Sequence, residues 1–460
     1  MAALIFLFLI CVAVAEIFFL SQLASAEPLD LIGRALHPFN VIGFLFLVTL
    51  VDFIGLFLIV SSRQSADFAE ISLSSKGEVV YGLFYYVLCQ SAIVVGIWAA
   101  LARTSQWKIH QIRMLRGKGV VAQRSELIAT RVIILVSICA TLVAGYTLLG
   151  TALSAGSLNY IAGVRTRFFA DNPILLLIIT TITPAFFLFG SRHSLKSLIL
   201  VLPPLLLVQG LVGGRSKLLY PIVGVAYWFC RSRRLPVIWV YLALPAMLLV
   251  IVAFGYYTRY SGLYSSLGEY LDASGGMFGA LFEESSISMA EAITYNVNNP
   301  IIMRSPWESV VGMFLLPIPR SVIDWKPFGV STDFSMAMDY VRFMLVKSEW
   351  TVTGYIDLFY SFGFIGGIAA CSAFAYLWTR ALLHYATGPF GTAFIGPVCI
   401  VSAYVFVRGD LYIVSQFLWP CGVVLLFFGG LRFLVKAAGH APPRPAPRRR
   451  RERSSSVSGQ

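Results

Sequence analysis

Charged residues are scarce in this chain. Of its 460 residues, 12% are Asp, Glu, Lys or Arg, whereas 58% are hydrophobic, and the mean hydropathy is +0.79. This composition excludes a cytosolic enzyme, because soluble domains carry about 25% charged residues. Apolar runs of the roughly 20 residues needed to cross a bilayer follow one another along the chain. They do not alternate with a period of two, which excludes a transmembrane β-barrel. We therefore expect an all-α polytopic membrane protein.

Cysteine and metal-binding motifs are also sparse. The seven cysteines lie within or at the edge of apolar runs, and no two form a Cys-x-x-Cys pair. Neither a disulfide framework nor a zinc site is therefore indicated. Asp-x-Asp and His-Glu-x-x-His are absent as well. We expect no cofactor and no bound metal.

Eleven transmembrane spans are predicted from the apolar runs. The span at 218–230 is short, but without it the basic cluster at 231–234 would lie on the wrong side under the positive-inside rule. That rule puts the N-terminus outside and the C-terminus in the cytoplasm. The first run resembles a signal peptide at Ala24-Ser25-Ala26, but it lacks a basic start and contains Glu16, so we expect a retained helix. The predicted spans are 2–25, 39–61, 79–101, 129–150, 173–190, 196–212, 218–230, 236–256, 352–378, 391–407 and 411–435.

The net charge of +13 comes from cytoplasmic loops and from the tail. Such charge sets topology and attracts anionic lipid, so nucleic acid is not an expected partner. The tail, 437–460, is rich in Arg, Pro and Ser, a composition typical of disorder.

One long outer segment, 257–351, separates the first eight helices (1–256) from the last three (352–436). It holds ten of the chain's 22 acidic residues, with basic residues between them. Amphipathic runs such as 277–296 predict short helices in it. A long loop of this kind is usually functional or disordered, and its aromatic content argues against disorder.

Three segments together resemble the Wzy-type O-antigen polymerases, which polymerise oligosaccharide repeat units. The first is Gly213-Gly214-Arg215 at the start of a span. The second is 316–327 (Leu-Pro-Ile-Pro-Arg-Ser-Val-Ile-Asp-Trp-Lys-Pro), late in the long loop. The third is 354–366 (Gly-Tyr-Ile-Asp-Leu-Phe-Tyr-Ser-Phe-Gly-Phe-Ile-Gly), which starts the next span.

The resemblance implies a GT-C-like membrane glycosyltransferase at the periplasmic face of a bacterial inner membrane. Such an enzyme joins undecaprenyl-diphosphate-linked oligosaccharide units into a surface polysaccharide without metal. Its partners would be the lipid-linked donor and acceptor, with a chain-length regulator and a flippase of the same pathway.

Glycosyl transfer from a lipid diphosphate requires cations for the departing diphosphate and a base for the acceptor hydroxyl. Arginine suits the first role, because its guanidinium binds phosphate oxygens bidentately. A snorkelling interfacial arginine is the alternative reading of Arg215. The candidates for the diphosphate are Arg215 and Arg320, helped by Lys326, Arg165 and Arg342; those for the base are Glu349, with Asp333 and Glu291 in reserve.

Two further functional hypotheses remain open. O-antigen ligases share this layout but are expected to use a periplasmic histidine, whereas the five histidines here all fall in predicted cytoplasmic loops or the tail. A flippase or other transporter of lipid-linked oligosaccharide would also carry cations for a diphosphate, but transporters usually show paired halves. A structural scaffold is disfavoured by the mixed charge of the long loop.

Overall fold

In the computed structural model the described residues form helices and include no β-strand. It describes residues 1–25, 36–62, 75–104, 173–190, 215–233, 265–273, 289–318, 322–338, 352–386 and 391–437, with isolated helical residues within 131–150 and 202–206. Within these ranges, five helices are long and apolar enough to cross a membrane, which confirms the expectation of an all-helical membrane protein at that level.

The apolar helices follow the predicted spans closely where the structure describes them. The predicted span 236–256 and the tail beyond 437 lie outside the described residues, and the predicted spans 129–150 and 196–212 are described only at isolated positions. The helices are α1 (Ala2–Ser25), α2 (Pro38–Ser62), α3 (Lys76–Ala102), α4 (Pro173–Thr180), α5 (Ile182–Gly190), α6 (Arg215–Arg233), then, beyond the long segment, α11 (Gly354–Ala386), α12 (Gly391–Arg408) and α13 (Leu411–Ala437).

The predicted span 173–190 forms two short helices rather than one. The break falls at Thr181, whose backbone N–H bonds to the carbonyls of both Leu177 and Ile178. Pro184 explains the break, because it has no N–H to donate to the carbonyl of Thr180 and its ring crowds that carbonyl.

The long segment folds back onto the apolar helices. It contains α7 (Leu267–Ala273), α8 (Met289–Asn298), α9 (Pro306–Leu315) and α10 (Val330–Met338). Helix α8 packs on α2 and α3, and α9 packs on α11 and α13. Helices α8 and α9 thus form part of the bundle, and α8 is a short helix within the described part of the amphipathic run 277–296.

Helix α3 lies at the centre of the bundle and contacts α1, α2, α8 and α11. Its closest approaches use glycine. A Cβ on Gly96 would come within 2.3 Å of the Ser372 carbonyl oxygen on α11, and one on Gly82 within 2.5 Å of the Thr294 hydroxyl on α8. The Tyr85 hydroxyl adds a 3.0 Å hydrogen bond to the Tyr355 carbonyl.

Helix α11 is kinked at Gly363, which has φ 73° and ψ −176°. This conformation favours glycine, because a Cβ would be strained there. The kink separates a short first segment, 354–362, from the remainder of α11.

Contacts along the helices define two ends of the bundle. Helices α11 and α13 begin at the end of the bundle where α12 finishes. We call this the site end, because the polar cluster described in the next section lies there. Phe6 stacks on Phe57 with ring centroids 4.0 Å apart, so α1 begins where α2 finishes. Asp52, late in α2, accepts a hydrogen bond from the Met289 backbone, so α8 also lies towards the site end.

We predict that Gly96→Ala destabilises the protein by about 1–3 kcal/mol, because the added methyl group forces α3 and α11 apart. The measurement is thermal unfolding of the detergent-solubilised protein by intrinsic fluorescence. Gly422→Ala is the matched control, since its Cβ would meet no atom within 4 Å. Equal unfolding temperatures for the two variants would contradict this packing.

Candidate functional site

Asp410 lies in the turn between α12 and α13 and is 1% exposed. One carboxylate oxygen accepts the backbone N–H of Ser331 at 2.9 Å, and the other accepts that of Ile413 at 2.9 Å. Asp410 therefore caps the first turns of both α10 and α13. The close approach of the Asp410 carboxylate to the start of α10 requires glycine at position 329, because a Cβ there would lie 2.7 Å from this carboxylate.

Asp357, in the first turn of α11, approaches the same helix start and is also 1% exposed. It accepts the Leu411 backbone N–H at 2.8 Å. Its other oxygen accepts the hydroxyls of Ser309 on α9 and Ser361 on α11, and these two hydroxyls lie 2.7 Å apart. Asp357 therefore connects α9, α11 and α13.

The two buried carboxylates share the field of nearby positive groups. Both lie in electrostatic range of Arg304, and the positive end of the α13 dipole faces them. Burial nevertheless raises the pKa of Asp410 above its ordinary value, against the lowering effect of its hydrogen bonds to Ser331 and Ile413.

Arg304 precedes α9, and its side chain is 2% exposed. Its guanidinium donates to an Asp333 carboxylate oxygen at 3.1 Å and to the Phe328 carbonyl, and its Nε lies 3.7 Å from a Glu308 oxygen. The guanidinium is thus surrounded by acceptors, so it positions carboxylates rather than offering a free fork to a ligand.

Asp333 and Glu308 are the accessible carboxylates of this cluster, with side chains 27% and 29% exposed. A carboxylate that is partly exposed and fixed in position by a charged hydrogen bond can accept a proton from a bound hydroxyl. The cluster therefore contains two partly exposed carboxylates and a buried guanidinium that contacts them. The same guanidinium lies in electrostatic range of the two buried acids.

Lys326, predicted to help with a diphosphate, is 5% exposed. Its ammonium donates to the carbonyls of Leu316 at 2.8 Å and Ile318 at 2.9 Å, just beyond the end of α9. It also lies 6.0 Å from the ring centre of Tyr412. These contacts stabilise the C-terminal end of α9.

Of the other predicted site residues, two lie in described helices and four lie outside the described residues. Arg215 is the first residue of α6, which begins near the site end because Tyr220 packs edge-on against Phe417 of α13 with centroids 5.4 Å apart. Glu291 lies half-buried in the first turn of α8. The candidates outside the described residues are Arg165, Arg320, Arg342 and Glu349.

Sequence reasoning assigned no role to Arg304, Asp357, Asp410 or Ser309. Asp357 lies within the segment 354–366 that carried the family resemblance, and Asp410 is the acid between two apolar runs. Burying an acid so close to an apolar span is energetically unfavourable unless the acid has polar partners. The presence of Asp357 and Asp410 beside spans was therefore the sequence signal that they are paired inside the protein. No spacing rule brings 304, 357 and 410 together, because their contacts depend on the tertiary fold.

A second polar cluster lies among α1, α2 and α3. Glu16 accepts the Ser91 hydroxyl, and Asp52 lies in electrostatic range of Arg408 as well as bonding to Met289. Both acids therefore face the bundle, as their cost in lipid requires.

Among the described residues, no group of three His, Cys, Asp or Glu side chains could hold a metal ion. No family model, no curated protein and no solved structure matches the chain.

We predict that wild type gains stability relative to Asp410→Asn as the pH falls from 7 towards about 4, the ordinary pKa of a carboxyl group. A raised pKa means that the folded carboxyl binds its proton at higher pH than the unfolded one, so acidification relieves the cost of burying the charge. The measurement is unfolding temperature against pH, with Asp324→Asn as the same change at an exposed carboxylate. A difference between wild type and Asp410→Asn that stays constant over this range would contradict the prediction.

We also expect Arg304→Ala to cost about 3–5 kcal/mol of stability, because it leaves neighbouring carboxylates without their cation. Arg103→Ala, at an exposed position after α3, should change stability by less than about 0.5 kcal/mol. Chemical unfolding in detergent measures both. If Arg304→Ala unfolds like Arg103→Ala, the cation does not hold the cluster together.

Proposed function

We propose that this protein is a glycosyltransferase that polymerises undecaprenyl-diphosphate-linked oligosaccharide units into a surface polysaccharide. In this proposal it has about eleven spans and a GT-C-like fold in a bacterial inner membrane. The N-terminus and the site end face the periplasm, and the C-terminus faces the cytoplasm. The observation that carries the proposal is the site-end cluster, in which partly exposed carboxylates surround Arg304.

The acceptor side of the reaction is supported by Asp333. Its carboxylate is accessible, and the hydrogen bond from Arg304 fixes its direction. It removes the acceptor hydroxyl proton while the hydroxyl oxygen attacks the anomeric carbon of the donor. General-base assistance of this kind contributes about 10²–10⁴-fold in rate. Arg304 is a positioning residue in this scheme.

The donor side requires cations that stabilise the leaving diphosphate, which departs with the electron pair of the broken carbon–oxygen bond. Arg215 and Arg320 remain the proposed ligands, with Arg165 and Arg342 as helpers. The start of α6 near Phe417 supports Arg215, because it brings that end of the helix towards the Asp410 turn. Lys326 contributes by holding the end of α9, through its bonds to Leu316 and Ile318.

The described histidines favour a polymerase over a ligase. His37 precedes α2 and His384 lies near the end of α11, and both are at the end of the bundle opposite the site. The 6.3 Å contact between Phe39 and Trp378 supports this placement.

Transport of the lipid-linked unit is the second candidate. The observation that favours it is the intramembrane pair Glu16 and Asp52, each held by polar groups of neighbouring helices. Acids of this kind can serve in proton-coupled transport.

We predict that purified protein incubated with its lipid-linked repeat unit in the presence of EDTA gives a ladder of polymer on a gel. Asp333→Asn should lose about two to four orders of magnitude in rate, since it removes the base. Arg215→Ala and Arg320→Ala should abolish the ladder through loss of diphosphate stabilisation.

Arg103→Ala is the control for loss of a cation elsewhere, and an unchanged unfolding temperature shows that each site variant is folded. Full activity in folded Asp333→Asn would reject Asp333 as the base. If wild type forms no polymer but vesicles containing it move the intact lipid-linked unit across the bilayer, the protein is a transporter.

A further inference from the structure

Helix α9 exposes an apolar face and buries two small residues against the bundle. Trp307, Val310 and Phe314 share the outward face and are 51%, 41% and 67% exposed. The opposite face carries Ser309 and Gly312, which are buried against the bundle. A helix that faces water has the reverse pattern.

The segment after α9 continues this surface. Val322, Trp325 and Phe328 are 72%, 61% and 45% exposed. The rings of Trp307 and Trp325 lie 6.4 Å apart, so the two parts are contiguous. Within 322–328, Asp324 is the one exposed charged residue. We call the six residues the apolar apron: Trp307, Val310, Phe314, Val322, Trp325 and Phe328.

Contacts on the buried side of α9 set its depth against the membrane-spanning helices. Ser309 bonds to Asp357 in the first turn of α11. Further along, the Met313 carbonyl accepts the indole N–H of Trp419 at 2.7 Å. Trp419 lies about 12 Å along α13 from Leu411, at about 1.5 Å of rise per residue.

That depth falls within the membrane rather than in water. The apolar stretch of α13 is Leu411–Gly430, which is about 30 Å long and matches the thickness of the hydrocarbon core. The end of α9 therefore lies well inside the slab that this stretch spans. Indole rings favour the boundary between lipid and water, where one edge is apolar and the other is hydrated.

We propose that the apolar apron is embedded in the bilayer leaflet at the site end and is covered there by phospholipid acyl chains. Helix α9 is then a partly inserted helix that packs on α11 and α13 with one face and meets lipid with the other. The proposal does not depend on the reaction proposed above, because it concerns only where this surface lies.

Photo-crosslinking in vesicles tests the proposal on the full-length chain. Phe314 is replaced with p-benzoylphenylalanine, the protein is reconstituted in phosphatidylcholine vesicles, and adducts are identified by mass spectrometry after irradiation. We expect phosphatidylcholine adducts at this position. Val310 is labelled in parallel, so that a folding defect at one position does not decide the result.

Two positions calibrate the measurement. Leu426, 74% exposed in the middle of α13, reports a side chain that faces lipid, and Phe334, 0% exposed in α10, reports one that is enclosed by protein. The proposal requires lipid adducts at 310, 314 and 426 and none at 334. It is overturned if 310 and 314 form no lipid adduct while 426 does, or if they crosslink instead to a second copy of the chain.

Discussion

The start of α13 is the constraint on which the site depends. A helix leaves its first N–H groups without partners inside the helix, and in apolar surroundings each unpaired group costs several kcal/mol. Asp357 supplies an acceptor for Leu411, and Asp410 supplies one for Ile413. Asp410 also accepts the N–H of Ser331, so its position fixes the start of α10 as well. Asp357 also accepts the hydroxyl of Ser309, which ties α9 to the same place.

This arrangement explains how charge is tolerated so close to the spans. Two buried acids are balanced by backbone N–H groups, serine hydroxyls and the nearby Arg304 rather than by a matched set of lysines. Arg304 in turn fixes Asp333 and Glu308 at the surface of the cluster. The buried acids are therefore structural, and in the proposed reaction the accessible carboxylates are the groups that meet the substrate. Under the proposed function, carboxylates held by fixed contacts at the surface of the cluster would orient a substrate hydroxyl.

The sequence predicted the helical class and most described apolar helices because long hydrophobic runs are local signals. The break at Thr181 was missed, although Pro184 was the local cause. The site was only partly foreseen. Asp333 was named from the loop composition only as a reserve to Glu349, whereas Arg304 and Asp410 owe their roles to contacts with residues far away in the chain. Lys326 illustrates the same limit, since a cation that composition assigns to a ligand is used here for backbone carbonyls.

The bond between Asp410 and Ser331 joins residues 79 positions apart. Synthesis proceeds from the N-terminus, so α10 leaves the ribosome well before the residue that caps it. The cap forms only when the helical hairpin of α12 and α13 has joined the bundle. Completion of the site is thus coupled to the insertion of this hairpin, and a chain that stalls before that step holds α9 and α10 without assembling the cluster.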